Sequence, residues 1–370
     1  MFKRNNALEK DEIYLSGSMG KYLKIIWVVC GVFLLLPLVA SFMPSSSYVL
    51  TLGSLVLIYS VIAMGVDLLT GYMGLSSLGH AGFFGFAAYC SAYFSITLGF
   101  PIILAILMAI GMTVILSSIY GIVINRVWGT TFQIVNIALG QIVWGLAFKL
   151  TAITKGETGF LGIKRPDWFG IDFENPVNFY YLLFVAFALV LFFLYRLVDS
   201  VFGMTVMGIK QNRKRMSALG YNVYLHKFIT YVFSGIFAGI AGIMFCFFFR
   251  LVTPSNASAV TSSKAFLMAL VGGTGTIIGP IVGATILVTI ENIVSAYTDR
   301  WVTVLGAIYI LTVTFAPRGV IGIYNQIRNS IRGKAEAKAA EEAERAEQVL
   351  LENAEGRVPE AGGEGSCGDE

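Results

Sequence analysis

Two glycine-rich stretches interrupt apolar segments of this chain and constrain its fold more than any other feature. The first covers residues 71–85 and the second covers residues 272–284. Glycine and proline break helices, and a broken helix in hydrocarbon exposes backbone N–H and C=O groups that lipid cannot satisfy. Such segments occur in membranes only where they are buried in protein or line a wet cavity. One lies in each half of the hydrophobic region, which indicates a path for a solute between two related halves.

The composition is that of a helical membrane protein. Hydrophobic residues make up 56% of the 370 residues and charged residues 13%, against roughly 25% charged in a soluble domain. Apolar stretches long enough to cross a bilayer occur at 25–43, 49–69, 80–98, 102–124, 132–153, 178–198, 228–249 and 302–316, and another covers 265–297. We expect an all-α, polytopic membrane helical bundle of about 8–10 spans, with broken or half helices in two pseudo-repeated halves.

The distribution of basic residues predicts the orientation in the plasma membrane. Lys and Arg concentrate in residues 1–24, 196–227 and 317–370, and cytoplasmic segments attract them. Both termini are therefore predicted to be cytoplasmic, which requires an even number of crossings. The parity is met if residues 265–297 enter and leave as two short elements, at least one a half-helix, that turn between Gly272 and Pro280.

This topology divides the chain into three parts. Residues 1–24 form a cytoplasmic segment, residues 25–325 the membrane domain, and residues 326–370 a cytoplasmic tail. The tail is rich in charge and then in glycine, which predicts a solvated helix followed by disorder. A solubilising extension is the simpler interpretation of the tail, and docking to another molecule is the alternative.

Several classes of chemistry are not favoured by the sequence. The four cysteines show no paired spacing, His80 and His226 lie far apart, and acidic residues do not cluster, so we predict no disulfide framework, metal site or cofactor. The net charge of +4 follows from the basic cytoplasmic segments beside membrane lipid and does not indicate a nucleic-acid partner. The chain has no Gly-x-x-x-x-Gly-Lys-Ser/Thr loop, and therefore no evident cradle for the phosphates of ATP.

Small and polar residues of the two glycine-rich stretches are the candidates for a substrate path. The N-termini of half-helices present free N–H groups that favour a carboxylate, and freed carbonyls can accept from an ammonium group. The alternative is that small residues only permit close helix packing, which we expect for Gly235, Gly239 and Gly242. The candidates are Gly74, Ser76, Ser77, Gly79, His80, Gly82, Gln133, Asn136, Gly272, Gly273, Thr274, Gly275, Thr276, Gly279 and Pro280.

Two alternatives stay open for His80, which either lines the path or is hydrogen-bonded between helices. Charges in or near spans should face protein or water, because each costs at least about 2.5–3.5 kcal/mol at the centre of the bilayer. Asp67 is expected to hold a backbone donor or shape the cavity, and Lys149 to reach the outer face. Glu291 has no assigned partner, and Lys264 is placed in an outer loop.

Residues 203–220 form a polar segment between two apolar spans. The sequence predicts a short helix bounded by glycines that carries Lys210, Arg213, Lys214 and Arg215. Such a helix suits docking to another protein, and a basic loop held near anionic lipid head groups is the alternative.

Six blocks carry a resemblance to a known family. Taken in order, residues 71–89, 129–135, 158–163, 209–220, 272–284 and 315–319 resemble the LivM-type permease of branched-chain amino acid ABC importers. The resemblance covers roughly residues 50–325 and excludes the charged tail. It implies a second, LivH-like permease subunit, two cytoplasmic ATPase subunits and an extracytoplasmic substrate-binding protein as partners, and transport by alternating access.

The resemblance also makes residues 203–220 the coupling helix that fits the ATPase. The residues implied in coupling are Gly208, Lys210, Arg213, Lys214, Arg215, Ala218 and Gly220. The family commonly carries acidic residues at positions 211–213, where this chain has Gln-Asn-Arg, so the resemblance does not support an acidic contact with the ATPase.

The leading hypothesis is therefore a permease subunit of an ATP-driven importer, not itself an enzyme, for branched-chain or related hydrophobic amino acids. A permease for urea or a short-chain amide is the nearest alternative, and residues 65–69 are compatible with it. An ion-coupled carrier would need paired carboxylates or sodium-binding groups, and only Asp67 and Glu291 are available. A membrane enzyme ranks last, because the sequence shows no nucleophile–base pair.

Overall fold

The structure is a computed structural model that describes residues 19–41, 46–165, 167–168, 171–298, 300, 303–304, 306–307, 310, 314 and 319–322. Helices dominate the described part of the chain. The α-helices longer than four residues are α1 Met19–Ser41, α2 Ser46–Asp67, α3 His80–Ala92, α4 Ile102–Ile124, α5 Gly129–Lys149, α6 Pro176–Val198, α7 Val201–Ala218, α8 Val223–Phe249, α9 Ala259–Gly272 and α10 Gly279–Tyr297. The expected all-α, polytopic membrane fold is confirmed.

Within the described residues, six helices are long and apolar enough to cross a membrane, and these are α4, α5, α6, α8, α10 and α2 with its extension to Met73. The predicted span over residues 80–98 is helical from His80 to Thr97, but it is not one regular α-helix. Helix α3 covers 13 residues and passes directly into a π-helical turn at Tyr93–Thr97.

The apolar stretch at 265–297 is split as the glycines and proline predict. Helix α9 has 14 residues, α10 has 19 residues, and Pro280 occupies the first turn of α10, where its missing N–H costs nothing. Helix α1 begins at Met19, inside the segment assigned to the cytoplasm. Most of the predicted span 302–316 and the whole tail 326–370 lie outside the described residues.

Helix α8 is the centre of the bundle and packs against α2, α3 and α4. Its glycines allow this approach: a Cβ at Gly235 would lie 2.8 Å from Ser117 Cβ, and one at Gly239 would lie 2.6 Å from Thr113 Cγ2. At Gly242 a Cβ would lie 3.0 Å from Phe84 Cα. The prediction that these three glycines serve packing is confirmed.

Among the described residues, four two-residue strands occur in the loops between the helices. Strand β1 (Phe160–Leu161) pairs antiparallel with β4 (Leu251–Val252), and β2 (Asp167–Trp168) pairs with β3 (Ile171–Asp172). The β1–β4 pair attaches the α5–α6 loop to the C-terminal end of α8. An ion pair between Arg250, which follows α8, and Glu174 of the α5–α6 loop adds a second link between these segments.

Candidate translocation site

The first glycine-rich stretch breaks the helix between α2 and α3. Helix α2 passes into a π-helical turn at Leu68–Met73, and Gly74 ends it with φ 75°, a left-handed conformation that favours glycine. The N–H groups of Gly74 and Leu75 both donate to the carbonyl of Leu69. Residues 74–79 are then non-helical until α3 begins at His80.

A closed hydrogen-bond cluster surrounds the start of α3. His80 Nδ1 lies 2.7 Å from Ser77 Oγ, and His80 Nε2 contacts Ser234 Oγ on α8. Asn136 on α5 donates to Ser77 and accepts at 2.8 Å from the Tyr231 hydroxyl. All five side chains are buried, so each bond satisfies a polar group that apolar surroundings would otherwise penalise.

This cluster answers the question left open for His80. Both of its ring nitrogens are hydrogen-bonded and the residue is 1% exposed, so it is a histidine held between helices. Ser234 also donates to the carbonyl of Gly65 at 2.6 Å, which ties α8 to α2 as well as to α3. The cluster therefore fixes the position of the first break.

Two glycines of the first stretch make backbone contacts with α5. A Cβ at Gly79 would lie 2.6 Å from Asn136 Oδ1 and closer still to its carbonyl oxygen, and one at Gly82 would lie 2.9 Å from Gly140 Cα. On the other side, the N–H of Ala81 donates to Ser262 of α9 at 2.9 Å. Gly79 and Gly82 are thus packing positions in this conformation.

The second glycine-rich stretch forms the loop between α9 and α10. Thr276 Oγ1 donates to the carbonyl of Gly273 at 2.9 Å and accepts from the N–H of Gly279 at 3.0 Å, so one side chain closes the loop. Gly275 has φ 80°. Thr274 is exposed, whereas Gly272 and Gly279 are buried.

The two broken elements meet at a contact that we call the glycine junction, formed by Asp67, Gly71 and Gly275. A Cβ at Gly71 would lie 2.7 Å from Gly275 Cα and closer still to Gly275 N and Asp67 Oδ1. Asp67 Oδ1 accepts from the Gly275 N–H at 2.8 Å. The expectation that Asp67 holds a backbone donor is confirmed.

Helix α7, the predicted coupling segment, consists of two helical parts. Ser200 caps its first turn, and Asn212 interrupts it with φ −156° and ψ 94°. The side chain of Asn212 accepts from the N–H of Arg215 at 3.0 Å and so caps the second part. The segment therefore begins at Val201 with a serine cap rather than at Gly203 as predicted, and Gly220, with φ 89°, follows its C-terminal end.

The basic residues of α7 have different surroundings. Lys210 donates to the carbonyl of Gly71 at 2.8 Å, so the first part of α7 contacts the glycine junction. Arg213 lies over the ring of Trp128 at 5.1 Å. All four of these basic residues, Lys210, Arg213, Lys214 and Arg215, are exposed, as a surface that meets a partner requires. In the fold of the segment, Met216 packs on Gly208.

A buried lysine organises the turn between α4 and α5. Lys227 is 0% exposed and donates to the carbonyls of Ile124 at 3.0 Å, Asn125 at 3.1 Å and Val127. Carbonyls at a helix C-terminus lack helical partners and carry the negative end of the helix dipole. The ammonium also lies 4.3 Å from the Trp128 ring, so the same ring contacts Lys227 and a residue of α7.

The partner of Glu291 is Lys264, and together they form a largely buried ion pair between α9 and α10. The side-chain nitrogen of Lys264 also lies 4.0 Å from the centre of the Tyr59 ring on α2. The placement of Lys264 in an outer loop was wrong, because this residue lies in α9. A charge so buried needs a partner of opposite sign, and Glu291 supplies it.

The structure brings together part of the predicted path. Ser77, His80 and Asn136 share one cluster, and Gly275 adjoins the residue Gly71 that begins the first stretch. Gly74 and Thr274 are exposed, Ser76 and Thr276 are half-buried, and Gln133 is half-buried one helical turn before Asn136. Exposed and half-buried candidates therefore lie in the stretches that form the glycine junction, whereas those in the hydrogen-bond cluster around His80 are buried.

The sequence interpretation missed the polar face of α8. Lys227, Tyr231 and Ser234 are buried and spaced four and three residues apart, so they lie on one side of the helix. Polar residues at helical spacing in an apolar span would have indicated contacts with other helices. That signal was present in the sequence.

Comparison with known proteins identifies the family. A model of the family described as branched-chain amino acid transport system, permease component, matches residues 48–313. The high-affinity branched-chain amino acid transport system permease protein LivM of Escherichia coli (strain K12) is 25% identical over 293 residues, which cover 73% of this chain and 69% of LivM. The corresponding LivH protein of Salmonella typhimurium is 27% identical over 305 residues, 74% of this chain and 92% of LivH.

A relative named for another solute also matches. The L-arabinose ABC transporter permease protein AraH of Azospirillum brasilense is 27% identical over 206 residues, 53% of this chain and 58% of AraH. No solved structure matches the chain. The family model covers well over half of the sequence and the helices that contain both breaks, and this protein therefore belongs to the permease components of branched-chain amino acid transport systems.

Proposed function

We propose that this chain is the permease subunit of an ABC importer that carries branched-chain or related hydrophobic amino acids across the plasma membrane. The observation that carries the proposal is the contact between the coupling segment and the two broken helices, through Lys210 and the glycine junction. A transporter driven from outside its own chain needs such a connection between its path and a partner that hydrolyses ATP.

The partners follow from what the chain lacks and from its family. It has no phosphate-binding loop, so two cytoplasmic ATPase subunits supply the hydrolysis and dock on the exposed residues of α7. A LivH-like subunit forms the other half of the membrane domain, against apolar faces such as that of α4, where Leu107, Ile115 and Ile122 are exposed. A binding protein delivers the solute from outside, and both termini face the cytoplasm.

The path runs beside the glycine junction on its accessible side. Ser76 and Thr276 are half-buried there and Thr274 is exposed, so hydroxyls and freed backbone groups are available to a carboxylate and an ammonium group. In a cysteine-free background, Ser76→Cys and Thr274→Cys should react with a polar thiol reagent in a manner that depends on nucleotide. Ser54→Cys is the control, because Ser54 is buried at 3% exposure and should stay unlabelled.

The uptake experiment uses the whole complex in proteoliposomes with ATP inside. Labelled leucine, urea and L-arabinose are compared, since relatives include a permease named for arabinose and urea is the nearest alternative. We expect leucine uptake that requires ATP, the second permease and the binding protein. Uptake of urea or arabinose without leucine would contradict the proposed substrate, and leucine uptake driven by an ion gradient alone would contradict the proposed mechanism.

A further inference from the structure

Lys210 is exposed like Arg213, Lys214 and Arg215, but it differs from them because its ammonium bonds to the first broken helix. Its ammonium donates to the carbonyl of Gly71 at 2.8 Å. Its aliphatic stem covers the end of the π-helical turn, since a Cβ built on Gly74 would lie 2.8 Å from Lys210 Cγ. The bond to Gly71 therefore engages the ammonium although the side chain as a whole stays exposed.

Gly71 makes two contacts at once. Its carbonyl accepts from Lys210, and its α-carbon abuts Gly275, whose N–H is held by Asp67. Three separate segments, the end of α2, the α9–α10 loop and the coupling segment, therefore meet at one residue. Neither Gly71 nor Gly275 has a side chain that could absorb a displacement.

We propose that Lys210 is a positioning residue that latches the glycine junction closed and releases it when a partner ATPase displaces α7. The inference rests on the proposed function and deepens it, because it separates one lysine of the coupling segment from those that dock. Withdrawal of the ammonium removes the tie between α7 and the π-helical turn, and the two broken helices can then separate.

The first test uses Lys210→Met, which keeps the stem over Gly74 and removes the ammonium. We expect the ATPases to co-purify as with the wild type, and a reporter Ser76→Cys to be labelled from the cytoplasmic side about 5- to 150-fold faster, the range of a typical coupling between two sites. ATP hydrolysis should lose its dependence on the solute. Lys210→Arg, which restores a donor, should recover most of the coupling.

Lys149→Met is the matched control, because Lys149 is an exposed lysine at the end of α5, far along the chain from the junction. Its labelling and hydrolysis should equal those of the wild type. Loss of the ATPases from Lys210→Met would overturn the latch and make Lys210 a docking residue. Equal labelling in Lys210→Met and the wild type would also overturn it.

A second test does not depend on the folding of Lys210→Met. A Cβ at Gly74 would lie 3.7 Å from Lys210 Cβ, within the range of a disulfide, so Gly74→Cys with Lys210→Cys should cross-link under oxidation. We expect a high yield without nucleotide and at least about a fivefold lower yield with a non-hydrolysable ATP analogue. A yield that is the same in both states would refute the latch.

The labelling and cross-linking measurements do not require the transported solute. Failure of wild-type uptake with all three solutes would contradict the proposed function and leave the latch measurements meaningful. Equal labelling or cross-linking would contradict the latch and leave uptake by the wild type unaffected. The two failures are therefore distinguishable.

Discussion

Replacement of Gly71 by alanine should separate the two broken helices with the smallest possible change. The new methyl group would lie 2.7 Å from Gly275 Cα and closer still to Gly275 N and Asp67 Oδ1. Carbon atoms pack at about 3.5–4.0 Å, so the loop must retreat by roughly 1 Å. Two of these obstacles are backbone atoms, and no rotamer change can move them.

The energetic cost has two parts. Overpacking in a close-packed region costs about 1–3 kcal/mol. The retreat also breaks the bond from the Gly275 N–H to Asp67 and leaves a buried donor unpaired, which costs about 1–3 kcal/mol. The sum of about 2–6 kcal/mol corresponds to a fall of roughly 4–12 °C in the midpoint of thermal unfolding, at about 2 °C per kcal/mol for a domain of this size.

Thermal unfolding of the purified complex measures this effect, and uptake measures its consequence. Gly111→Ala is the matched control, because a Cβ there meets nothing within 4 Å and alanine favours a helix interior by about 0.5–1 kcal/mol. The control should keep or slightly raise the midpoint and retain uptake. If Gly71→Ala had the same midpoint of thermal unfolding as Gly111→Ala and transported normally, the two breaks would not approach each other closely in the working protein.

Three further predictions concern buried polar groups, each measured as the midpoint of thermal unfolding. Ser234→Ala removes a link among three helices and should cost about 1–3 kcal/mol, whereas Ser54→Ala, whose hydroxyl bonds only within its own helix, should cost less; equal losses would contradict a special role for the cluster. Asp67→Ala leaves the Gly275 N–H without an acceptor and should lower the free energy of unfolding by about 1–3 kcal/mol. Asp67→Asn keeps an acceptor oxygen, and its midpoint of thermal unfolding should remain close to that of the wild type. Lys264→Met and Glu291→Met should each cost about 3–5 kcal/mol, and the double variant should recover most of that loss; additive losses would argue against the ion pair.

The breaks in the membrane helices could be predicted from sequence because their cause is local. Gly74 with its left-handed backbone and Pro280 in the first turn of α10 act on their immediate neighbours. The long helices follow for the same reason, and α4 has the bounds 102–124 predicted for that span. Within residues 80–98, apolar composition does not reveal that the α-helix changes to a π-helical turn after 13 residues.

The contacts that join the breaks could not be predicted from sequence. Asp67 and Gly275 are 208 residues apart and Lys210 is 139 residues from Gly71, and periodicity within one segment carries no information on such pairs. The same limit left Glu291 without its partner Lys264. Only the buried polar residues on one face of α8 indicated long-range contacts from local sequence. They showed that contacts with other helices were needed, but they did not identify the residues contacted.

The absence of side chains at Gly71 and Gly275 bears on how movement of α7 can reach the two broken helices. Flexible side chains between two segments absorb small movements by changing rotamer. Little of the displacement of one segment then reaches the backbone of the other. At this junction the two backbones touch directly, and the coupling segment is attached to the same residue through Lys210. Because close-packed interiors transmit strain rather than absorb it, a displacement of α7 would pass through Gly71 to the backbone of Gly275. In the importer that we propose, these glycines would act less by being flexible than by letting one backbone press directly on another.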